Sequence, residues 1–260
     1  MSYLFYLLAI GIGIITGGIT SLIGASGVMV IVPILTMIFH ISAHTAIGTS
    51  LFVDVIASIT VAYSYLKKGN VELKAGIWIA ISSVIGAQVG ALLASNIADQ
   101  HLSTSFGFVL IAAGLSMIFK KDKKQKNDSK KNRFKAEWQK IIAALIIGLG
   151  IGIISGMFGA GGGVMILLAL IIIMKLPLHK AIGTSTMIMS ITALSSTIGY
   201  AVRGNVDLTL GCLLALGAIV GGIMGSRYAN KVNEKTLQKV VGICFMSLGI
   251  AMTVLNIIIS

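Results

Sequence analysis

Two glycine-rich segments are the strongest candidates for chemistry, because each interrupts a long apolar stretch. GASG occupies residues 24–27 and GAGGG occupies residues 159–163. Glycine costs a helix about 1 kcal/mol per position, so each segment predicts a break after which a new helix begins. Unpaired amides and a positive dipole at a helix start can bind an anion without a fixed cation. The alternative is that the glycines only let helices cross closely. The predicted substrate-binding residues here are Gly24, Ser26, Gly27, Gly159, Gly161, Gly162 and Gly163.

A second pair of segments places two hydroxyl groups side by side. AIGTS occurs at residues 46–50 and again at residues 181–185. Neighbouring hydroxyls can donate to an oxyanion, and the preceding glycine lets the backbone approach it. Helix capping, or a bond back to a carbonyl, is the alternative role. The predicted substrate-binding residues here are Gly48, Thr49, Ser50, Gly183, Thr184 and Ser185.

Three titratable residues are candidates for coupling a proton to the movement of a solute. Asp54 is the only carboxylate well inside an apolar segment, and it shares a helix face with Ser50. His44 and His179 begin the two matched segments, and histidine titrates near neutrality. The alternatives are a buried hydrogen-bonded acid, or one near a cavity mouth, and two interfacial or capping histidines. The spacing of these residues does not match a metal site.

The elements that must position these residues are membrane-spanning helices. The chain has 260 residues, of which 56% are hydrophobic and only 11% charged. A stretch of about 20 apolar residues spans a bilayer as a helix, and the alternating strands of a membrane barrel are absent from the sequence. We therefore predict an all-α, polytopic transmembrane bundle of about 8–10 membrane segments. The long apolar blocks are residues 3–23, 46–66, 75–95, 102–119, 141–157, 181–202, 208–226 and 236–259.

The chain repeats itself at a constant offset. HTAIGTS at 44–50 matches HKAIGTS at 179–185, and KGNVEL at 68–73 matches RGNVDL at 203–208. These matches predict a first membrane repeat at 1–119 and a second at 139–260, joined by a basic linker at 120–138. Duplicated transporters bind substrate at the interface between their repeats.

Charge indicates how the two repeats are oriented. Ten of the twenty Lys and Arg residues lie between Lys120 and Lys140. If the chain reverses at each glycine-rich segment, every Lys and Arg except Arg203 falls on the linker's side, which the positive-inside rule makes cytoplasmic. Continuous spans would separate the charges less well. We therefore predict inverted repeats, each with a glycine-interrupted or re-entrant first helix pair, in a cell membrane such as the bacterial plasma membrane. Nucleic acid is not an expected partner.

These motifs resemble the TauE/SafE family, also called the toluenesulfonate uptake permease family. Its members carry a GxGGG-type segment and an AxGTS segment in each half. Here GASG at 24–27 lacks the middle glycines, and Leu168 stands opposite Pro33. The resemblance implies transport of sulfite, sulfonates or other sulfur-containing anions, with the glycine-rich and GTS segments forming the translocation path.

We therefore expect a secondary transporter of a small anion that works by alternating access, with H+ as the candidate coupling ion. The lipid bilayer and the anion are the expected partners. No nucleotide-binding motif, cofactor motif or catalytic cluster is present in the sequence, so we expect neither a pump, a cofactor nor an enzyme. A passive anion channel and a membrane scaffold without transport activity are the alternatives.

Overall fold

The computed structural model describes residues 3–37, 39–94, 162–172 and 174–259, together with 111–112, 114–115, 138, 142, 145–150 and 152–153. Within these residues the regular structure is helical and contains no strand, which confirms the predicted all-α class. The eight helices for which bounds are described are α1 (Tyr3–Ile23), α2 (Val28–Met37), α3 (Ala43–Leu66), α4 (Leu73–Ala94), α5 (Gly162–Ile172), α6 (Leu178–Val202), α7 (Leu208–Ala229) and α8 (Glu234–Ile259).

Helix length separates spanning helices from short ones. Among the described residues, four helices contain stretches long and apolar enough to cross a membrane: Tyr6–Ile23, His44–Leu66, Leu178–Val202 and Leu208–Ala229. By contrast, α2 has 10 residues and α5 has 11. At about 1.5 Å per residue these two helices reach roughly half of a 30 Å hydrocarbon core. A short helix therefore follows each glycine-rich segment.

Local chemistry sets several helix ends. Gly24 ends α1 in the left-handed region, with φ of 66°, and its amide donates to the Thr20 carbonyl at 2.8 Å. Glycine tolerates this conformation because it has no Cβ. The Ser42 side chain caps the start of α3, and the Asp207 carboxylate caps the start of α7 by accepting from Leu210 N at 3.0 Å.

Close glycine contacts hold α1 against α7. A Cβ added to Gly17 would lie 2.8 Å from Ala218 Cα, and one added to Gly13 would lie 3.0 Å from Ala218 N. Gly221 packs in the same way against Ile14. Residue numbers rise together along this contact, so α1 and α7 run parallel. Backbones approach this closely only where side chains are absent.

A matching contact forms between α4 and the helical residues 145–150 and 152–153. A Cβ on Gly86 would lie 3.1 Å from Gly152 Cα, and one on Gly152 would lie 2.7 Å from Ser83 Cα. Gly86 and Gly152 are the residues that the offset of the repeat aligns with Gly221 and Gly17. The first helical segment of each half therefore packs against the other half.

Two antiparallel helices, α3 and α6, lie between these contacts. Near the start of α3, the Thr49 hydroxyl accepts from the amide of Asp207, which follows the end of α6, at 2.9 Å. Near the start of α6, the Thr184 hydroxyl accepts from the amide of Glu72, which follows the end of α3, also at 2.9 Å. Each helix therefore begins where the other ends.

The outer surface of the helices is apolar. Large hydrophobic side chains that are exposed lie on α1, α3, α6 and α7, and they include Ile15, Ile59, Ile198 and Leu216. A water-facing surface would carry charged side chains at such positions, whereas lipid contact favours this composition. Polar side chains such as Thr20, Ser58 and Ser226 are buried instead.

Candidate functional site

The first glycine-rich segment is a non-helical break inside the bundle. Residues 24–26 are neither helix nor strand, and α2 begins after Gly27. Gly24, Ala25 and Gly27 are buried, and the methyl group of Thr16 packs against Gly27. A Cβ at Gly27 would lie 3.3 Å from a carboxylate oxygen of Asp54. Irregular backbone at this depth requires polar partners, because lipid offers none.

Asp54 supplies those partners from the middle of α3. Its side chain is 1% exposed, and its Oδ1 accepts from the Gly27 amide at 2.9 Å. The Ser26 hydroxyl donates to Oδ2 of the same carboxylate, and the Val28 amide lies 3.2 Å from that hydroxyl oxygen. A carboxylate therefore occupies the start of α2, where the helix dipole favours negative charge. The sequence predicted these residues separately, and the structure brings them together.

The second glycine-rich segment meets the first one at Gly163. A Cβ on Gly163 would lie 2.8 Å from Ser26 N and 2.7 Å from the sulfur of Met189. The offset of the repeat places Met189 where the first half has Asp54. The Ser185 hydroxyl lies 3.1 Å from the Gly24 carbonyl and 2.9 Å from the Ile182 carbonyl, and it can donate to either. Parts of both halves thus share one buried neighbourhood between α3 and α6.

Some predicted residues fall outside the part of the chain that the structure describes. Gly159 and Gly161 lie outside the described residues, as does the linker at 120–138 apart from Trp138. Gly162 is described only by its position as the first residue of α5. A substrate role for these three glycines stays a prediction.

The remaining residues of the AIGTS segments join the two halves. A Cβ on Gly48 would lie 3.0 Å from Tyr200 Cβ, and one on Gly183 would lie 2.8 Å from Tyr65 Cβ. Beside these glycines lie the bonds from Asp207 to Thr49 and from Glu72 to Thr184, which we call the threonine clasps. Each clasp links an AIGTS segment to the GNVE or GNVD segment of the other half. The Ser50 hydroxyl donates to the Ile47 carbonyl at 2.8 Å.

Both candidate histidines lie at helix ends. His44 is exposed near the start of α3. The Nε2 of His179 lies 2.9 Å from the Ala229 carbonyl and 3.1 Å from the Val232 carbonyl, and its Nδ1 lies 4.0 Å from Glu234. Among the described contacts, neither histidine touches Asp54 or the break at 24–27. His179 contacts carbonyls at the end of α7, and His44 is exposed beside the Ser42 cap of α3. These positions fit the interfacial or capping alternative, and coupling by either histidine stays a prediction.

Sequence reasoning missed two threonines on α1. Thr16 packs on Gly27, and its hydroxyl donates to the Ile12 carbonyl at 2.6 Å. Thr20 follows one turn later on the same side of the helix. Its hydroxyl is fully buried and has no hydrogen-bond partner among the described residues. The only signal was the spacing of the two threonines within an apolar helix. The described residues include no cluster of His, Cys, Asp or Glu that could hold a metal ion.

Comparison with known proteins identifies the family. A family model described as "Sulfite exporter TauE/SafE" matches residues 9–252. The chain belongs to the TauE/SafE family. This match covers both glycine-rich segments and both AIGTS segments, and it confirms the resemblance that these motifs carry. The TauE/SafE match, the names of the relatives and the apolar helices together describe a multi-pass membrane protein of a transporter family.

Relatives of this TauE/SafE chain occur in Bacillus subtilis and in Methanocaldococcus jannaschii. "Probable membrane transporter protein YdhB" of Bacillus subtilis strain 168 is 31% identical over 86% of this chain and 91% of its own length. "Probable membrane transporter protein YunE" of the same strain is 26% identical over 94% of this chain and 96% of its own length. MJ0441 of Methanocaldococcus jannaschii is 29% identical, covering 89% of each chain. YunE and MJ0441 carry the same description as YdhB. No solved structure gives a significant match.

Proposed function

We propose that this TauE/SafE chain is a secondary transporter that moves a small sulfur-containing oxyanion, such as sulfite or a sulfonate, by alternating access. Its strongest support is that the break at 24–27 already binds a carboxylate, through the Gly27 amide and the Ser26 hydroxyl. The oxygens of sulfite and sulfonate accept hydrogen bonds from the same donors. H+ is the proposed coupling ion, and Asp54 is the proposed coupling residue.

The hydrogen-bond donors around the break are suited to reversible binding of an anion. They are neutral amides and hydroxyls, and none of the described residues forms an ion pair with Asp54. A fixed cation at this depth would hold an anion more tightly, because Coulomb attraction is strong where water is scarce. A site of neutral donors at a helix start binds an anion and releases it on the other side.

We propose that the two halves, at 1–119 and 139–260, are inverted repeats with the substrate between α3 and α6. The antiparallel course of α3 and α6 supports this proposal, because the offset of the repeat aligns these two helices. The reciprocal threonine clasps and the matched glycine contacts of α1 and α4 support it as well. Inverted repeats that exchange conformations open a central site to one side and then to the other.

The distribution of cations supports one orientation in the membrane. The end of α3 and the start of α6 lie on one face, which carries Lys67, Lys68 and Lys180. The opposite face has Arg203 at the end of α6. We propose that the first face and the basic linker are cytoplasmic, as the positive-inside rule requires, and that the chain resides in the cell membrane.

Uptake into liposomes tests the proposed function. Purified protein is reconstituted, and the accumulation of sulfite, thiosulfate, sulfate, methanesulfonate and small carboxylates is followed with and without a pH gradient. We expect a sulfur oxyanion to accumulate above its external concentration, and collapse of the gradient should abolish the accumulation. Flux that only equilibrates the anion would indicate a channel, and no flux of any anion would contradict transport.

A further inference from the structure

We propose that Asp54 is a built-in substitute for the transported anion. In this mechanism its carboxylate occupies the site at Ser26 and Gly27 until a proton neutralises it, and the oxyanion then takes its place. This inference rests on the proposed function and adds the rule that links the proton to the anion. Proton and anion bind together, cross together and leave together, so their movement is symport.

The geometry of Asp54 is that of a bound anion. Both of its oxygens are engaged, one by the Gly27 amide at 2.9 Å and the other by the Ser26 hydroxyl. The side chain reaches these donors from a different helix, 27 residues further along the chain, and it is almost completely buried. An amide and a hydroxyl at a helix start are also the donors that a sulfite or sulfonate oxygen requires.

Carboxylate and substrate must compete, because no nearby cation can balance two negative charges. Helices α1 and α2 contain no Asp, Glu, Lys, Arg or His. Two anions on the same neutral donors would repel each other in an interior of low polarity. The other titratable residues of the helices packed against α3 and of α3 itself lie near helix ends: Tyr3, Tyr6, His44, Tyr63, Tyr65, His179, Lys180, Tyr200, Cys212, Arg227 and Tyr228.

Thr20 gives an independent indication that a ligand enters this neighbourhood. Its hydroxyl is buried and has no partner among the described residues, although a buried polar group without a partner is costly. It lies one turn from Thr16, whose methyl group contacts Gly27. A polar ligand that entered beside α1 at this level would satisfy this hydroxyl.

The second half has no equivalent acid. Met189 stands where the offset of the repeat places Asp54, and its sulfur would lie 2.7 Å from a Cβ on Gly163. A thioether cannot bind a proton in exchange for an anion. The exchange therefore takes place at one glycine break only, and each transport cycle carries one proton on Asp54.

Anion binding measured against pH tests the inference. The probes are methanesulfonate and thiosulfate, whose own charges do not change over the pH range used. For the wild type, the half-saturating concentration should rise by up to about tenfold per pH unit once Asp54 loses its proton. Asp54→Asn, which is neutral and of similar shape, should bind equally well at every pH and should move the anion without protons. Asp54→Glu should keep the pH dependence.

Asp207→Asn is the matched control. Asp207 also accepts from an amide at a helix start, Leu210 N at 3.0 Å, but it lies at the end of the bundle. This variant should keep the pH dependence of the wild type. A pH dependence that survives in Asp54→Asn would overturn the inference and the assignment of proton coupling to Asp54, and it would leave the proposed transport of a small anion intact.

A measurement on the wild type covers the case in which Asp54→Asn does not fold. The measurement is made at a pH at which the half-saturating concentration is rising with pH, so that Asp54 is ionised before the anion binds. Binding of methanesulfonate to the detergent-solubilised protein in weak buffer should then take up close to one proton from the solution per bound anion. Binding without proton uptake would overturn the inference. Failure of the wild type to bind or move any of the anions tested would instead contradict the proposed function itself.

Discussion

Gly24 meets two requirements at once, a left-handed backbone and close contact with α6. Its φ is 66°, and a Cβ there would lie 3.2 Å from Ile182 Cα and would also meet the Ser185 hydroxyl. Gly69 has nearly the same φ of 69°, with nothing within 4 Å of the added Cβ. Gly24→Ala and Gly69→Ala should each lose about 1–2 kcal/mol of stability through the backbone.

The difference between these two variants should appear in uptake. Only Gly24→Ala pushes the break away from Ser185, so it should lose most of its anion uptake in liposomes, whereas Gly69→Ala keeps it. Thermal unfolding in detergent measures the shared backbone cost. Equal uptake by both variants would show that the geometry of the break at Gly24 does not matter for transport.

Gly163 provides a second test at the level of single residues. Its added Cβ would lie 2.8 Å from Ser26 N and 2.9 Å from Ala25 Cα, so even Gly163→Ala must separate the two glycine-rich segments. Overpacking of this kind costs about 1–3 kcal/mol. Gly199→Ala, with nothing within 4 Å, is the control. We expect sulfite uptake to fall about tenfold or more in Gly163→Ala, because displacing the Ser26 and Gly27 donors by enough to cost about 1.4 kcal/mol of anion binding lowers affinity tenfold, and to stay unchanged in Gly199→Ala.

Residue types and spacing predicted which side chains to examine, but not their partners. The sequence distinguishes Asp54 as an acid within an apolar segment, and it distinguishes Ser26 and Gly27 as part of a helix break. Nothing local in the sequence joins Asp54 to Ser26, because the loop and α3 meet only through tertiary packing. Thr20 was missed for the same reason, since a threonine in a membrane helix usually bonds back to its own helix.

At the scale of the helices, the threonine clasps should carry measurable stability. Thr49→Val keeps the shape of the side chain but leaves the Asp207 amide without its acceptor, and Thr184→Val does the same to the Glu72 amide. Each change should cost about 1–3 kcal/mol in thermal unfolding. The two costs should add, because the clasps lie at opposite ends of α3 and α6.

Thr60→Val separates the clasp from the general loss of a hydroxyl. The Thr60 hydroxyl donates only to the Ile56 carbonyl of its own helix, at 2.8 Å. Its loss should therefore change stability by a few tenths of a kcal/mol at most, since the carbonyl keeps its helical bond. Thr49→Ser should restore the stability that Thr49→Val loses. Equal effects of Thr49→Val and Thr60→Val would mean that the clasps do not stabilise the helix pair.

Neighbouring glycines on α1 test its crossing with α7. An added Cβ on Gly17 would lie 2.8 Å from Ala218 Cα, whereas one on Gly18 would meet nothing within 4 Å. Gly17→Ala should lower stability by about 1–3 kcal/mol through overpacking. Gly18→Ala should raise it by up to about 1 kcal/mol, because alanine favours a helix. Thermal unfolding measures both effects. Equal changes in stability in Gly17→Ala and Gly18→Ala would contradict the close crossing of α1 and α7.

The hydropathy pattern predicted the long apolar helices, and the glycine-rich segments predicted that a new helix begins after each of them. The hydropathy pattern did not predict which helices contact each other. AIGTS at 46–50 and GNVD at 204–207 are each matched within the chain, but their meeting depends on the antiparallel course of α3 and α6. Spacing along the chain does not specify that course, and the distribution of cations was the one signal that favoured it.

For the whole molecule, the antiparallel pair predicts which loops share a side of the membrane. Lys68 follows the end of α3, Arg203 follows the end of α6, and Lys231 follows the end of α7; all three are exposed. Since α7 runs back across the membrane from the end of α6, Lys231 should lie with Lys68 and opposite Arg203. Cysteine placed at each position, after Cys212 and Cys244 are replaced by alanine, reports the side directly.

An impermeant, charged maleimide should label Arg203→Cys in intact cells, whereas Lys68→Cys and Lys231→Cys should react only after lysis. The physical reason is that the face of Lys68 and Lys231 carries most of the cations outside the linker, and such a face stays in the cytoplasm. Labelling of Lys68→Cys and Arg203→Cys from the same side would contradict the antiparallel pair itself. Inverted repeats could then not form around α3 and α6, and alternating access at a site between these two helices would lose its structural basis.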